Sequence, residues 1–514
     1  MVALPGFVLN RLNQDWPESI VGSDVTGASG PPALGILRGM SSLSPTQRQA
    51  LGALLQASPF AKVARELGER FAAAGHQLYL VGGTVRDALL ERSSSDADFT
   101  TDADPRRVLE IVRAGGWDDG VWLQGARFGT VGVRKGALRL EITTFRSDVY
   151  HEDSRKPEVT FGRSIEEDLA RRDFTVNAMA VRLPDGQFID PFGGLADLAN
   201  RRLRTPSSPA TSFEDDPLRM LRAARFMSQL ELVPTPETVE AITKRAGRLE
   251  IVSRERIRDE LSKLLLGRAP GKGLWLVVQT GLAVQFLPEL PALALEQDPV
   301  HRHKDVLAHT IAVVERATAF DADRPDLVLR LAALLHDIGK PRTRRVGPDG
   351  VSFHLHEVVG AKMAERRLTE LRYPNEIVQD VRKLVLLHLR FHTYRLGWTD
   401  SAVRRYVRDA GDLLDRLNFL VRSDCTTRNP FKAKQLATAC DELEARIAKL
   451  EAEEELAKIK PPLNGGEVMA LLGVPPGPIV GKALNHLLEL RLDRGPMSKE
   501  EATEALLAWA RDEG

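Results

Sequence analysis

Two aspartates one residue apart, Asp96 and Asp98 in "SDADFTT", are the first residues along the chain whose types and spacing suggest chemistry. On a strand, residues two apart face the same side, so both carboxylates project into one space. Like charges so close repel unless a cation lies between them, and the pair suits divalent metal ions that hold and neutralise a phosphate chain during in-line displacement. Just ahead, "LYLVGGTVRDALL" joins an apolar run to Gly82 and Gly83, which let the backbone approach a ligand closely. Thr84 then opens a helix whose amides can receive phosphate oxygens, with Arg86 and Asp87 in its first turn. A Gly-Gly turn or an Asp-x-Asp is common alone; their joint occurrence in one strand, turn, helix, strand unit is not. In "LRLEITTF", Leu138, Leu140 and Ile142 share one strand face and Arg139, Glu141 and Thr143 the other, so Glu141 is either a third acid or a solvated strand glutamate.

A second concentration lies downstream. Eight of the eleven histidines, His301, His303, His309, His336, His354, His356, His388 and His392, fall in one window. Imidazole with carboxylate suits a divalent transition metal, and His336-Asp337 in "LLHDIGK" follows an apolar helical run. His392 lies on the same helix face as His388.

These residues need a scaffold. At 514 residues the chain exceeds one ordinary hydrophobic core, so several domains are expected. Residues 1–45 mix Gly, Pro and Ser without period and read as a flexible leader in which Met40 is an alternative start. Helical patterns from Ser44 to Gly75, the strand "QLYLV" and alternating strand and helix signals to about residue 200 describe an α+β head, with a hairpin turning near Lys135 and Gly136. Beyond residue 200 nearly every segment is helical in period, and "KPPLNGGE" sets off a last helical piece. The expected domains are the leader 1–45, the head 46–200, a helical neck 201–268, a helical metal domain 269–459 and a C-terminal helical segment 460–514. Lysine plus arginine equals aspartate plus glutamate, 71 each, so any polyanion site must be a local patch. Two cysteines, Cys425 and Cys440, exclude a disulfide framework and a cysteine zinc cage and suit a reducing cytoplasm. No transmembrane run or signal peptide is visible, and no membrane partner is expected.

The motifs "VGGTVRDALL…DADFTT", "EEDLARRDFTVNAMA", "IDPFGGLADL", "EDDPLRMLRAARF" and "SRERIRDEL" occur in the order seen in class II nucleotidyltransferases, and the chain resembles that family of bacterial CCA-adding tRNA nucleotidyltransferases and poly(A) polymerases. The resemblance implies a polymerase-β-like head with a mixed sheet, Mg2+ held by Asp96 and Asp98, triphosphate contacts from Gly82, Gly83 and Arg86, and sugar and phosphate contacts from Arg172, Asp173 and Asn177. It also implies a protein template of Asp216 and Arg219 that reads the base; an aspartate accepts and an arginine donates, so together they match the edge of cytosine or adenine. Asp215 stands where the family commonly has Glu. Taken alone, Arg222 and Arg225 read as helix-surface ion pairs.

The set "DVLAHT", "LLHDIGK", "HEVVGA", "VLLHLRFH" and "LVRSDCTTRN" resembles the HD phosphohydrolase superfamily. That likeness implies His309, His336, Asp337 and Asp424 as ligands of a divalent transition metal or Mg2+, with His356 and His388 as additional ligands of two-metal members. It implies an all-α body and, over the alternative of a structural relic, a second, hydrolytic activity on an RNA end or cyclic phosphates. Among basic residues, "RRLR" at 201–204, Arg254, Arg256, Arg258, Lys263 and Arg268 are candidates for a tRNA path, and Lys482 and Arg491 for RNA contacts of the closing helices. The expected function is CCA addition to tRNA from CTP and ATP. Poly(A) polymerase, partial CC- or A-addition controlled near "RSDVYHEDSRKPEVTFGRS", and an HD hydrolase whose head only binds RNA stay open.

Overall fold

In the computed structural model, the described residues are 60–513 apart from 93–95, 118–119, 123–128, 150–157, 162–163, 296–304, 322, 349, 427–428 and 455–459. The leader, Met40 and the helical stretch before residue 60 lie outside them. The head begins with α1 (Ala61–Ala73), β1 (Leu78–Val81), α2 (Gly83–Leu89), β2 (Asp96–Thr101), α3 (Pro105–Ala114), β3 (Val121–Trp122), β4 (Thr130–Lys135) and β5 (Leu138–Thr144). A separate hairpin of β6 (Arg146–Val149) and β7 (Glu158–Phe161) precedes α4 (Ile165–Ala170), β8 (Ala180–Leu183), β9 (Phe188–Ile189) and α5 (Gly194–Ala199).

Apolar and buried at all four positions, β1 takes an inner place in a seven-stranded sheet of order β3-β4-β5-β2-β1-β8-β9. β2 and β5 run parallel while the other neighbours are antiparallel, so the sheet is mixed, as the α+β reading expected. The hairpin of β4 and β5 turns through Gly136 and Ala137, with Lys135 the last paired residue of β4. On β5, Leu140, Ile142 and Thr144 are buried, which leaves Glu141 on the opposite, open face. α3 is started by Asp104, whose carboxylate accepts the amides of Arg106 and Arg107, and it buries Val108, Ile111 and Val112. Tyr79, Val81, Phe145, Ile165, Leu169, Ala178 and Ala180 form the core that ties β1, β8 and α4 together.

Helices follow: α6 (Pro209–Asp215), α7 (Leu218–Leu230), α8 (Pro236–Arg245), α9 (Arg254–Leu265) and α10 (Pro270–Gln279). α7 packs against both α9 and α10, and the chain divides into two compact units between Pro288 and Glu289.

The second unit contains α11 (Val306–Ala317), α12 (Leu327–Leu335), α13 (Lys340–Thr343), α14 (His356–Glu370), α15 (Asn375–Leu387), α16 (Asp400–Ala410), α17 (Leu414–Asp424) and α18 (Pro430–Glu454). α12 is buried from Val328 through Leu335, and α11, α15 and α17 pack around it. The body is not wholly helical: Arg345–Gly347 pairs with Gly350–Ser352, because "RVGPDGVS" places turn residues between two short β-prone stretches. α19 (Gly465–Leu472), α20 (Pro478–Arg494) and α21 (Lys499–Glu513) gather around their own core of Val468, Ala483, Leu487, Ala502 and Leu506. Asn464 and Glu467 close a capping box at the start of α19, within the stretch "KPPLNGGE". Among the described residues, no helix is long and apolar enough to cross a membrane.

The close seat of α5 on the turn Thr175–Asn177 depends on a missing side chain. A Cβ on Gly194 would lie 2.1 Å from the Thr175 carbonyl oxygen, a backbone atom that cannot swing aside. Gly194→Ala is therefore expected to destabilise the head by about 1–3 kcal/mol. Chemical denaturation of the full chain reads this, and an unchanged midpoint would show that the two segments are not held so closely.

Candidate active site and metal centre

The parallel register of β2 and β5 sets Asp98 directly beside Glu141, and the period-two alternation brings Asp96 to the same open face. All three acids named from the sequence therefore converge. Thr84, at the start of α2, accepts the Asp98 amide on its hydroxyl at 2.9 Å, so the turn fixes the acidic strand. Gly82 adopts φ +71°, and a Cβ there would lie 2.7 Å from Nη1 of Arg172 and 3.9 Å from Oδ2 of Asp98. Glycine at 82 thus lets a guanidinium lie against the acidic strand. Withdrawal from water pushes the Asp98 carboxyl up, Arg172 pulls it down, and the Glu141 and Asp96 charges push it up again. Asp98 keeps contact with solvent, so hydration moderates the first cause and the neighbouring acids are the lasting one, which a bound cation would relieve.

Behind the acids lies a network centred on Asp173. Its Oδ1 accepts the Phe174 amide at 2.8 Å and the Asn177 amide group at 2.9 Å; its Oδ2 accepts Nε of Arg222 at 2.8 Å. Asn177 in turn accepts Nη1 of Arg86 at 2.5 Å, and Arg86 also grips Asp87. Burial pushes the Asp173 carboxyl up, but Arg222, Asn177, Arg219 and the Phe174 amide outweigh it and hold it down at about 2. Arg172 and Arg171 both donate to the buried Asp168. The surface reading of Arg222 and Arg225 is overturned: Arg222 reaches Asp173, 49 residues away, and Arg225 pairs with Glu260 inside the protein at 3.1 Å. Arg86, Arg222 and Arg225 all lie against the ring of Phe226. The i, i+3 spacing of Arg219 and Arg222, one face of α7, was the signal available in the sequence.

Asp216 and Arg219 stand together at the start of α7 but each has other partners. Asp216 accepts the Leu218 amide and Nη2 of Arg256 at 2.8 Å; Arg219 is buried and donates to the Arg171 carbonyl at 2.6 Å and to the Ser212 hydroxyl at 2.9 Å. Of the RNA candidates, Arg254 is half-buried and donates to the Gln285 carbonyl, Arg256 holds Asp216, and Lys482 is exposed on α20. Much of the loop weighed for the C-to-A switch lies outside the described residues.

In the second unit, His309, His336 and Asp424 offer ligand atoms within 4.8 Å of one another, and so do Asp337, His356 and His388. All six predicted ligands are brought together. His301 and His303 lie outside the described residues, His354 is exposed, and His392 sits at the edge of the cluster with Nε2 3.5 Å from Asp424. Nδ1 of His336, His356 and His388 contacts the carbonyls of Ala333, Phe353 and Val385 at 2.6–2.8 Å. A carbonyl only accepts, so each Nδ1 carries the proton and each Nε2 turns a lone pair inward. None of these three buried Nε2 atoms makes a well-directed hydrogen bond; His336 and His356 instead come within 3.2 and 3.4 Å of the Asp337 carboxylate, the convergence of metal ligands rather than of satisfied core histidines. Burial pushes Asp337 and Asp424 up, but neighbouring imidazoles, when they take up a second proton, hold both well below the carboxylate range, and Lys340, 2.6 Å away, adds to this at Asp337. Burial and the neighbouring His336 push His388 down to about 3. Lys340 and Thr426, which contacts Nδ1 of His309 at 2.6 Å, were not identified from the sequence.

Residues 78–204 match the Poly A polymerase head domain, 233–293 a probable RNA and SrmB-binding site of polymerase A, and 306–450 the HD domain. An A-adding tRNA nucleotidyltransferase of Deinococcus radiodurans is 35% identical over 441 residues, which cover 84% of this chain and 95% of that protein. The chain belongs to the tRNA nucleotidyltransferase family. A CC-adding tRNA nucleotidyltransferase of Thermus thermophilus is 36% identical over 440 residues, 84% of this chain and 93% of that one. The structure of a Bacillus stearothermophilus CCA-adding enzyme in complex with CTP resembles this nucleotidyltransferase with a TM-score of 0.66 at 27% identity, covering 89% of this chain and 99% of that one. The family's head and HD domains are metal-dependent, and the HD cluster of this nucleotidyltransferase offers two groups of three ligand atoms close enough to hold an ion.

Two outcomes are expected. Because the folded Asp173 pKa lies below its ordinary value, the stability it contributes is present above about pH 4 and lost as pH falls toward 2. The excess stability of wild type over Asp173→Asn should shrink across that window by roughly 2 kcal/mol, and a pH-independent difference in acid denaturation would contradict the assignment. At the second cluster, His336→Ala should lower the transition metal retained after dialysis, with Asp98→Ala as the control; equal content in wild type and His336→Ala would remove this site.

Proposed function

We propose that this chain adds CCA to tRNA 3′ ends from CTP and ATP without a nucleic-acid template, in the cytoplasm. The observation that carries the reading is the convergence of Asp96, Asp98 and Glu141 beside the Gly82–Arg172 contact, on a chain whose full-length relatives act on tRNA. Bound Mg2+ would neutralise charge on the triphosphate, held by Asp96 and Asp98. Gly82 and Gly83 admit the phosphates, Arg86 and Arg172 face them, and Asp173 with Asn177 orients Arg86 and the sugar. The tRNA 3′-hydroxyl oxygen forms a bond to the α-phosphorus as the bond to pyrophosphate breaks, and the hydroxyl proton leaves toward the acidic face of β2 and β5. With little covalent chemistry for the protein to perform, position and charge supply most of the rate.

Base choice falls to Asp216 and Arg219 in this reading, and RNA contacts to Arg254, Arg256 and Lys482. Partial addition is the second reading, favoured because the two relatives aligned over 84% of the chain are named A-adding and CC-adding. CCA addition is supported by the Bacillus subtilis CCA-adding enzyme, 45% identical over 210 residues, which cover 41% of this chain and 51% of that protein. For the HD cluster we propose a phosphohydrolase centre: water oxygen bonds to phosphorus, the ester P–O bond breaks, and the departing ester oxygen takes a proton from that water to become a hydroxyl.

Incubation with Mg2+, a tRNA transcript lacking CCA, and CTP, ATP or both tests the reading. Growth by three residues that then stops is the expected outcome, a single A or only CC would establish partial addition, and a long adenosine ladder would overturn both. Asp98→Ala should lower incorporation by more than about a hundredfold while tRNA binding persists; near-normal incorporation would refute the assignment of the acids.

A further inference from the structure

The segment that leaves the HD cluster through His388 and His392 continues, in the 3-10 turn Arg390–Leu396 and just beyond it, into Tyr394 and Trp398. Opposite, Asp424 ends α17 and Phe431 stands near the start of α18. Between the two segments runs a groove of about 640 Å3 lined by Tyr394, Trp398, Phe431, Lys434, Thr438 and Arg446. Its rings are set in place. Tyr394 and Trp398 meet edge to face at 5.4 Å, the Trp398 indole N–H donates to the Thr393 hydroxyl at 3.0 Å, and Arg446 donates to the Trp398 carbonyl at 2.7 Å. Phe431 is 80% exposed, so core packing does not account for it. Two residues of chain span about 7 Å at most, so the Tyr394 backbone lies within that distance of His392, whose Nε2 is 3.5 Å from the Asp424 carboxylate.

We propose that this groove binds the base of a nucleoside phosphate, the terminal nucleotide of an RNA, whose phosphate reaches the HD cluster. The inference rests on the phosphohydrolase reading of that cluster. Tyr394 and Trp398 are held in place and Phe431 is open to solvent, aromatic faces stack on any base with about 1–3 kcal/mol each, the volume is that of a small-ligand site, and Lys434, Gln435, Thr438 and Glu442 supply a polar rim. Adjacency to ligands for a phosphate-binding metal selects a nucleotide over a peptide.

The test uses the full chain loaded with Mn2+, with adenosine 3′-monophosphate and ribose 3-phosphate, which lacks the base, as paired substrates. Phe431→Ala and Trp398→Ala should raise KM for the nucleotide roughly 5- to 100-fold, leave kcat nearly unchanged, and leave the ribose phosphate kinetics as in wild type. Phe431 is exposed, so its removal should not unfold the protein. Nucleotide hydrolysis that Phe431→Ala leaves untouched overturns the groove while the hydrolase reading stands. If neither substrate is hydrolysed, the hydrolase reading fails, and calorimetric binding of the nucleotide decides the groove: weaker binding to Phe431→Ala supports it, and equal binding overturns it.

Discussion

A single buried carboxylate holds the nucleotidyltransferase head in working order. Arg86, Arg222 and Arg225 crowd one aromatic ring, Phe226, and three guanidiniums so placed would repel without a counter-charge. Asp173 supplies it to Arg222 directly and orients Arg86 through Asn177, while Asp87 pairs with Arg86 and Glu260 with Arg225. Deprived of Asp173, Arg222 would remain a partly buried cation without its partner, a situation that costs far more than the pair itself contributes. The same carboxylate joins the turn after α4 to α7 and, through Arg86, to the glycine turn that faces Asp98. Fold and site are thus held by one set of contacts.

The HD cluster solves the opposite problem, too much negative potential. His336 caps the C-terminus of α12, His388 that of α15, and Asp424 ends α17, so three helix C-termini with their negative ends point inward beside two carboxylates. A cation is the natural occupant. Two of the orphan carbonyls at those ends, of Ala333 and Val385, take up the Nδ1 protons of the same helices' histidines, so one local hydrogen bond both satisfies the helix end and aims Nε2 at the centre.

What was legible in the sequence follows from how far apart the partners lie. The glycine turn and the Asp-x-Asp are neighbours in the chain, so alternation alone placed Asp96 and Asp98 on one face, whereas Glu141 joins them only through the register of β5 on β2, which no local pattern shows. The His336-Asp337 doublet and the histidine density marked the second cluster, although its membership came from resemblance. Arg222 and Arg225 were misread because their partners are remote: local spacing describes a helix face but not what packs on it. Phe431 gave no signal, since an aromatic near a helix start reads as core, and only its exposure and the facing Tyr394 and Trp398 distinguish it.

In the free protein the proposed template residues are held by other groups, and the two are held with unequal strength. Asp216 is engaged by Arg256, whose side chain is half-exposed, and exposed ion pairs contribute about 0–1 kcal/mol. Arg219 is buried, and its guanidinium satisfies the Arg171 carbonyl and the Ser212 hydroxyl, groups that would be stranded if it left. If the pair reads the base as proposed, the base recruits Asp216 by exchanging a weak partner, whereas Arg219 reads it with the donors it has to spare or brings its supporting turn along. Because that turn carries Arg171 and Arg172, the second route would couple base recognition to the guanidinium that lies against Gly82 and Asp98. Selection of the nucleotide and arrangement of its phosphates would then be one movement, a coupling written into the single hydrogen bond from Arg219 to the Arg171 backbone.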